Sequence, residues 1–134
     1  MRVVLDTNVL VSALIKPGKP RELILKIARK NVQVVLSRGI LEEFIDVTDD
    51  PKIRKYIRED DRMAFLKVVG SIASLVEVKS RFKAVGEDPA DDVVLRTAHD
   101  GGAGYIVSGD RHLLSLKKFR GIKIVTVGQM LGIL

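Results

Sequence analysis

Short apolar runs rich in β-branched residues alternate along this chain with stretches whose apolar positions recur at helical spacing, and no repeat, linker or biased segment interrupts them. Residues 3–5, 32–36, 75–78, 105–107 and 122–125 read as short buried strands. Helical spacing occupies residues 9–15 and 21–29, parted by the breaker run Lys16-Pro17-Gly18-Lys19-Pro20. Ser37 serves as the cap of a helix that buries Ile40, Leu41, Phe44, Ile45 and Val47 and fades at Asp49-Asp50-Pro51. Residues 52–57 and 60–73 form two more helices, the second with Met63, Phe65, Leu66, Val69 and Ile72 to bury. Further helices run from 89 to about 100, from just after Asp110, and to the end near Leu134.

Strands without polar alternation, separated mainly by helices, predict a parallel sheet covered on both faces, because parallel neighbours need long crossovers. The expected fold is therefore a three-layer α/β/α sandwich around a central, mainly parallel five-stranded sheet. At 134 residues the chain makes one domain, spanning 1–134.

In such sheets ligands bind beyond the carboxyl ends of the strands, near the point where strand order reverses. Asp6 directly follows the first strand and Asp110 comes three residues after the strand 105–107, so both carboxylates are expected at the same edge. Either could simply cap the helix after it, but converging acids repel one another unless a proton or a hard divalent cation neutralises them. Asp88-Pro89-Ala90-Asp91-Asp92 opens a helix with Asp88 as expected N-cap. Asp91 and Asp92 lie about 100° apart around the axis, so they cannot serve one direction, and two acids exceed what capping requires. On the helix after the second strand, Glu43 falls about 40° outside one edge of the apolar set and Glu42 about 60° outside the other, too small a margin to choose between them.

Charge and composition narrow the classes. With 23 basic and 17 acidic residues the chain carries +6, which favours polyanionic partners. The excess is concentrated in residues 16–30 and in residues 111–123, the latter with Arg111, Lys117, Lys118, Arg120 and Lys123 and no acid. A solvated surface accounts for such runs as readily as a ligand does. The absence of cysteine excludes a thiol nucleophile and Cys-based metal sites and fits a reducing cytoplasm. The N-terminus meets a carboxylate at Asp6 and no 18-residue apolar run occurs, so a soluble, cytoplasmic protein without membrane contact is expected.

Leu5-Asp6-Thr7-Asn8-Val9-Leu10, Ser37 through Glu43, Asp88-Pro89-Ala90-Asp91-Asp92 ahead of Ala98, and Tyr105-Ile106-Val107-Ser108-Gly109-Asp110 ahead of Leu113-Leu114 together resemble the PIN domain family, in the right order over essentially the whole chain. The resemblance implies that the family's four acidic positions fall on Asp6, Glu43, Asp91 and Asp110. Asn8 and Ser108 would be supporting polar residues, and Asp92 and Asp88 further contributors. It implies an endoribonuclease dependent on Mg²⁺ or Mn²⁺, often the toxin of a toxin/antitoxin pair, with an antitoxin protein as partner and homodimers common. Ser108 stands where the family often has threonine and keeps the hydroxyl. RNA contacts would fall to Lys16, Lys19, Arg21 and Arg111, since phosphate contacts dominate nucleic-acid affinity and offset the repulsion of an acidic site. Tyr105 and the phenylalanines are expected in the core, leaving no platform for base stacking.

Three other readings compete. Haloacid dehalogenase-type phosphatases also place an Asp after the first strand, but they need a second Asp two residues on, where this chain has Asn8. His99 and His112, the two histidines, could support a metal-independent ribonuclease, although their positions suit structural or exposed roles better. The third is a catalytically silent PIN-like module that only binds RNA or protein.

Overall fold

The computed structural model describes residues 1–84 and 89–134. Element order is β1 (Arg2–Leu5), α1 (Thr7–Ile15), α2 (Lys19–Lys30), β2 (Gln33–Ser37), α3 (Arg38–Asp49), α4 (Pro51–Arg54), α5 (Glu59–Ile72), β3 (Ala73–Val76), α6 (Pro89–Asp100), β4 (Tyr105–Val107), α7 (Arg111–Leu116), β5 (Lys118–Phe119), β6 (Ile122–Val125) and α8 (Val127–Ile133). The strands form one sheet in the order β3-β2-β1-β4-β6-β5, parallel throughout except for β5 against β6. The mixed α/β fold with a mainly parallel sheet is as expected; the strand count is corrected from five to six. β5 is two residues long and carries no hydrophobic pattern, so only its pairing to β6 reveals it.

Val3, Val4 and Leu5, and likewise Val34, Val35 and Leu36, are all at most 3 % exposed although successive side chains point to opposite faces. Both faces of the central strands are therefore covered, one by α6 lying across β1, β2 and β4. Fully burying each such side chain contributes on the order of 1.5–3 kcal/mol. The flanks are wetter. β6 alternates buried Ile122 and Ile124 with exposed Lys123, and in β3 Leu75 is 69 % exposed.

Local chemistry sets the helix boundaries. Asp6, Ser37, Asp50, Asp110 and Thr126 each cap a helix through a side-chain oxygen, Thr126 in a reciprocal capping box with Gln129. The breaker run is shorter than expected, because Lys19 and Pro20 already belong to α2, where proline costs no hydrogen bond in the first turn. β3 begins two residues earlier than expected, pairing Ala73 to Val34 and Val76 to Ser37.

Strand order runs outward from β1 to β2 and β3 on one side, and from β4 to β6 on the other. The switch point thus lies between β1 and β4, the strands that Asp6 and Asp110 follow.

Candidate functional site

The backbone joins the two strand ends directly: the Asp6 N–H donates to the Val107 carbonyl at 2.9 Å. Asp6 is 8 % exposed, and both its oxygens are engaged. Oδ1 accepts the Thr7 N–H at 2.8 Å and Oδ2 accepts the Ser108 hydroxyl at 2.6 Å. Ser108 Oγ in turn accepts the Asp110 N–H at 2.9 Å, so one fully buried hydroxyl links the two acidic strand ends. Asn8 Oδ1 accepts the Gly109 N–H at a long 3.4 Å. Asp110 uses Oδ1 to cap α7 through the His112 N–H at 2.7 Å. Capping a helix and lining a cleft are thus compatible: Asp6 and Asp110 do both.

These residues open onto a cleft of about 260 Å³ lined by Asp6, Glu43, Asp91 and Asp110, with Thr7 and Asn8 between them and Val11 and Val47 on its apolar wall. The choices left open by the helical wheel are settled by neighbours. Glu42 points outward into an ion pair with Arg38 at 2.8 Å, whereas Glu43 faces the cleft and accepts a hydrogen bond from Thr7 Oγ1 at 3.2 Å. Asp91 lines the cleft; Asp92, equally buried, turns the other way and accepts the Ala84 N–H at 2.9 Å. Asp88 lies outside the described residues.

Thr7 was not among the expected site residues, yet it is 3 % exposed and holds Glu43 across 36 positions of sequence. The one signal available in the sequence was its place between Asp6 and Asn8.

The cations proposed for RNA divide. Lys16 is exposed on the turn after α1 and Lys19 on the first residue of α2, beside Pro20, which lines an adjoining depression with Asn8, Ser108 and Gly109. Arg111 is exposed in the first turn of α7, next to Asp110. Arg21 is committed elsewhere: its guanidinium donates to the carbonyls of Ala13 at 2.8 Å and Leu14 at 3.0 Å, tying off the end of α1. These bonds satisfy carbonyls that the end of a helix leaves without intrahelical partners.

His99 is exposed near the end of α6, edge-on to Phe82, and His112 is exposed at the start of α7. Phe44 is fully buried, and Phe65, Phe82, Phe119 and Tyr105 are half-buried and packed against the core as expected, Phe82 and Phe119 beneath Arg120.

The donor set around the cleft consists of carboxylate oxygens, the ligands that Mg²⁺ and Mn²⁺ prefer. Among the described residues, however, no three carboxylate or imidazole groups already stand close enough to form a ligand cluster. The residue types fit a hard cation. No helix among the described residues is long and apolar enough to cross a membrane.

Fold and site together define a parallel α/β domain with a carboxylate-lined cleft at its switch point. Residues 2–112 match the PIN domain family, and the chain belongs to it. The chain is 32 % identical over 119 residues to the uncharacterized protein MJ1680 of Methanocaldococcus jannaschii, covering 87 % of this chain and 76 % of that protein. Its fold is like that of VapBC2 from Rickettsia felis, solved bound to a DNA fragment from their promoter, with a TM-score of 0.63, 16 % identity, and 94 % and 98 % of the two chains covered. It is also like a domain of a functionally unknown protein from Methanocaldococcus jannaschii, with a TM-score of 0.60, 15 % identity, and 92 % and 88 % covered.

Proposed function

We propose that this protein is a metal-dependent endoribonuclease, hydrolysing RNA phosphodiester bonds at the cleft between β1 and β4. One observation carries the reading: four acids from four separate segments, Asp6, Glu43, Asp91 and Asp110, line one small cleft at the switch point of a PIN domain. Maintaining that much like charge in one place is costly unless a cation is the intended occupant. Mg²⁺ or Mn²⁺, held by these four carboxylates, would supply a more acidic water and neutralise charge developing on the phosphate.

The chain's own groups supply positioning. Ser108 fixes Asp6 and the backbone of Asp110 together, Thr7 orients Glu43, and Asn8 steadies the Gly109 turn. Such hydrogen bonds hold carboxylates in one rotamer and keep their basicity directed into the cleft. Lys16 and Lys19, exposed beside Pro20, and Arg111, exposed beside Asp110, are the cations assigned to the phosphates of an RNA strand. The likeness to VapBC2 supports a toxin of a toxin/antitoxin pair with an antitoxin protein as partner; a cytoplasmic location and a homodimer belong to the same proposal and rest on the family resemblance alone.

The test is cleavage of a labelled single-stranded RNA in Mn²⁺, in Mg²⁺ and in EDTA, beside Asp110→Asn prepared identically. Cleavage that needs metal and falls at least about a hundredfold in the variant is expected, the scale of losing a group that stabilises the transition state. Activity in EDTA, or equal activity in the variant, refutes the carboxylate-metal reading. Binding of RNA without cleavage would establish the silent module instead.

A further inference from the structure

Residues 111–123, cationic and free of acids in sequence, become one edge of the molecule. β5 folds back on β6 so that Lys118 stands directly opposite Lys123, and Phe119 opposite Ile122. Like charges directly opposite on a ladder repel and weaken the pairing. Nothing relieves this: among the described residues, no ion pair involves Arg111, Lys117, Lys118, Arg120 or Lys123. The backbone bears a cost as well, since Lys117 and Arg120 hold φ of +60° and +48°, where side chains other than glycine are disfavoured. Arg120 is held with its guanidinium 4.3 Å from the Phe82 ring centre and 5.3 Å from that of Phe119, which fixes the cation at the surface without neutralising it.

The place of this edge relative to the cleft follows from register. Lys123 is level with Tyr105 and hence with Val3, three residues before Asp6. That is about 10 Å along the strands, and β5 lies three strands from β1, about 14 Å across. Arg111, adjoining Asp110, stands at the cleft end of the same cationic line. An unrelieved, pre-positioned set of cations starting at the rim is suited to a polyanion passing over it. A protein partner would require a buried apolar anchor. The aromatics here are covered by Arg120, and among the described residues Leu116 is the one well-exposed large apolar side chain on this edge, at 37 %.

The geometry points to the β5–β6 hairpin, through Lys118 and Lys123, as a docking track for the sugar–phosphate backbone of RNA leading away from the cleft. The inference rests on the ribonuclease reading for the identity of the polyanion. It goes beyond that reading in assigning substrate affinity to an edge that contributes nothing to the acidic site.

The experiment is binding of a fluorescent single-stranded RNA in EDTA, followed by anisotropy across a salt series, for the wild type and for Lys118→Gln/Lys123→Gln. Each phosphate contact to a single strand contributes ~0.7 to the slope of log affinity against log salt, so losing two should flatten the slope by about 1.4 and weaken binding roughly 25-fold at 0.1 M salt. Each single substitution should carry about half the change in slope. The melting temperature should be no lower than that of the wild type, because the substitution removes a repulsion. Lys52→Gln/Lys67→Gln, exposed on α4 and α5, lowers net charge equally and should leave affinity nearly unchanged. An equal loss in both double variants, no loss in the hairpin variant, or no RNA binding by the wild type overturns the proposal. Weakened binding by the hairpin variant in a protein that never cleaves RNA would instead refute the ribonuclease reading and leave the hairpin assignment standing.

Discussion

Ser108 shows how one small side chain can set the geometry of a site whose charges belong to others. It is fully buried, gives its proton to Asp6 Oδ2 and takes the Asp110 N–H. Ser108→Ala leaves both partners short in a place water reaches poorly, so a loss of about 1–3 kcal/mol in urea unfolding is expected, accompanied by weaker cleavage. A loss below about 0.5 kcal/mol, within the range of ordinary surface changes, would show that the hydroxyl does not link the strand ends. At this scale the sequence was informative about residue type and less so about direction. Asp6 and Asp110 were legible because a strand end fixes where the next side chain emerges. The pairs Glu42/Glu43 and Asp91/Asp92 were not, because each sits at the edge of a helix face, where a partner elsewhere decides: Arg38 for Glu42, and the Ala84 N–H for Asp92. The partners of Arg21 were equally hidden from the sequence, being carbonyls at the end of another helix.

Between elements, the tightest approach that positions the site is where α6 ends over the sheet. A Cβ added at Gly101 would lie 2.4 Å from Val35 Cγ1, 2.9 Å from the Thr97 carbonyl oxygen and 3.2 Å from Val76 Cγ2. Gly101→Ala must therefore push α6 off β2 and β3, and overpacking of this kind costs about 1–3 kcal/mol. Since α6 also carries Asp91 into the cleft, the variant should lose cleavage activity by more than its residual folded fraction explains, as read from circular dichroism and activity at one temperature. Activity in proportion to the folded fraction would mean that α6 can shift without moving Asp91. Central strands β1, β2 and β4 were readable because burial on both faces leaves an unbroken apolar run. The edges were not: β3 starts on Ala73 and Ser74, and β5 is defined by a hydrogen-bonded partner rather than by any property of Lys118 and Phe119.

Across the whole molecule, two acids that do not line the cleft tie separate segments together and should govern its response to acid. Asp100, at the end of α6, accepts the Lys79 N–H at 2.8 Å and the Ser80 N–H and hydroxyl, both at 2.9 Å, on a single oxygen. The backbone hydrogen bond from Ser80 is the main reason its carboxyl sits below the ordinary aspartate value. This clamps the start of a strap that continues past Phe82, whose carbonyl accepts from Arg96, to Ala84 against Asp92. Asp49 is lowered chiefly by its hydrogen bond to Arg62, within an exposed network that adds Arg54 and Glu59. Screening by solvent makes that network the weaker contributor, so Asp100 is the better probe. Because its pKa is lower folded than unfolded, the unfolded chain takes up the proton first as acid is added. The stabilisation from Asp100 is therefore complete above the ordinary aspartate range, near pH 4, and is lost as pH falls through the folded value. Asp100→Asn should be less stable than the wild type at neutral pH, with the gap in urea midpoint narrowing below about pH 4 as the wild type loses its carboxylate. A gap that stays constant from neutral to acid pH would show that Asp100 contributes through its shape rather than its charge, and that the strap is not fastened by the carboxylate.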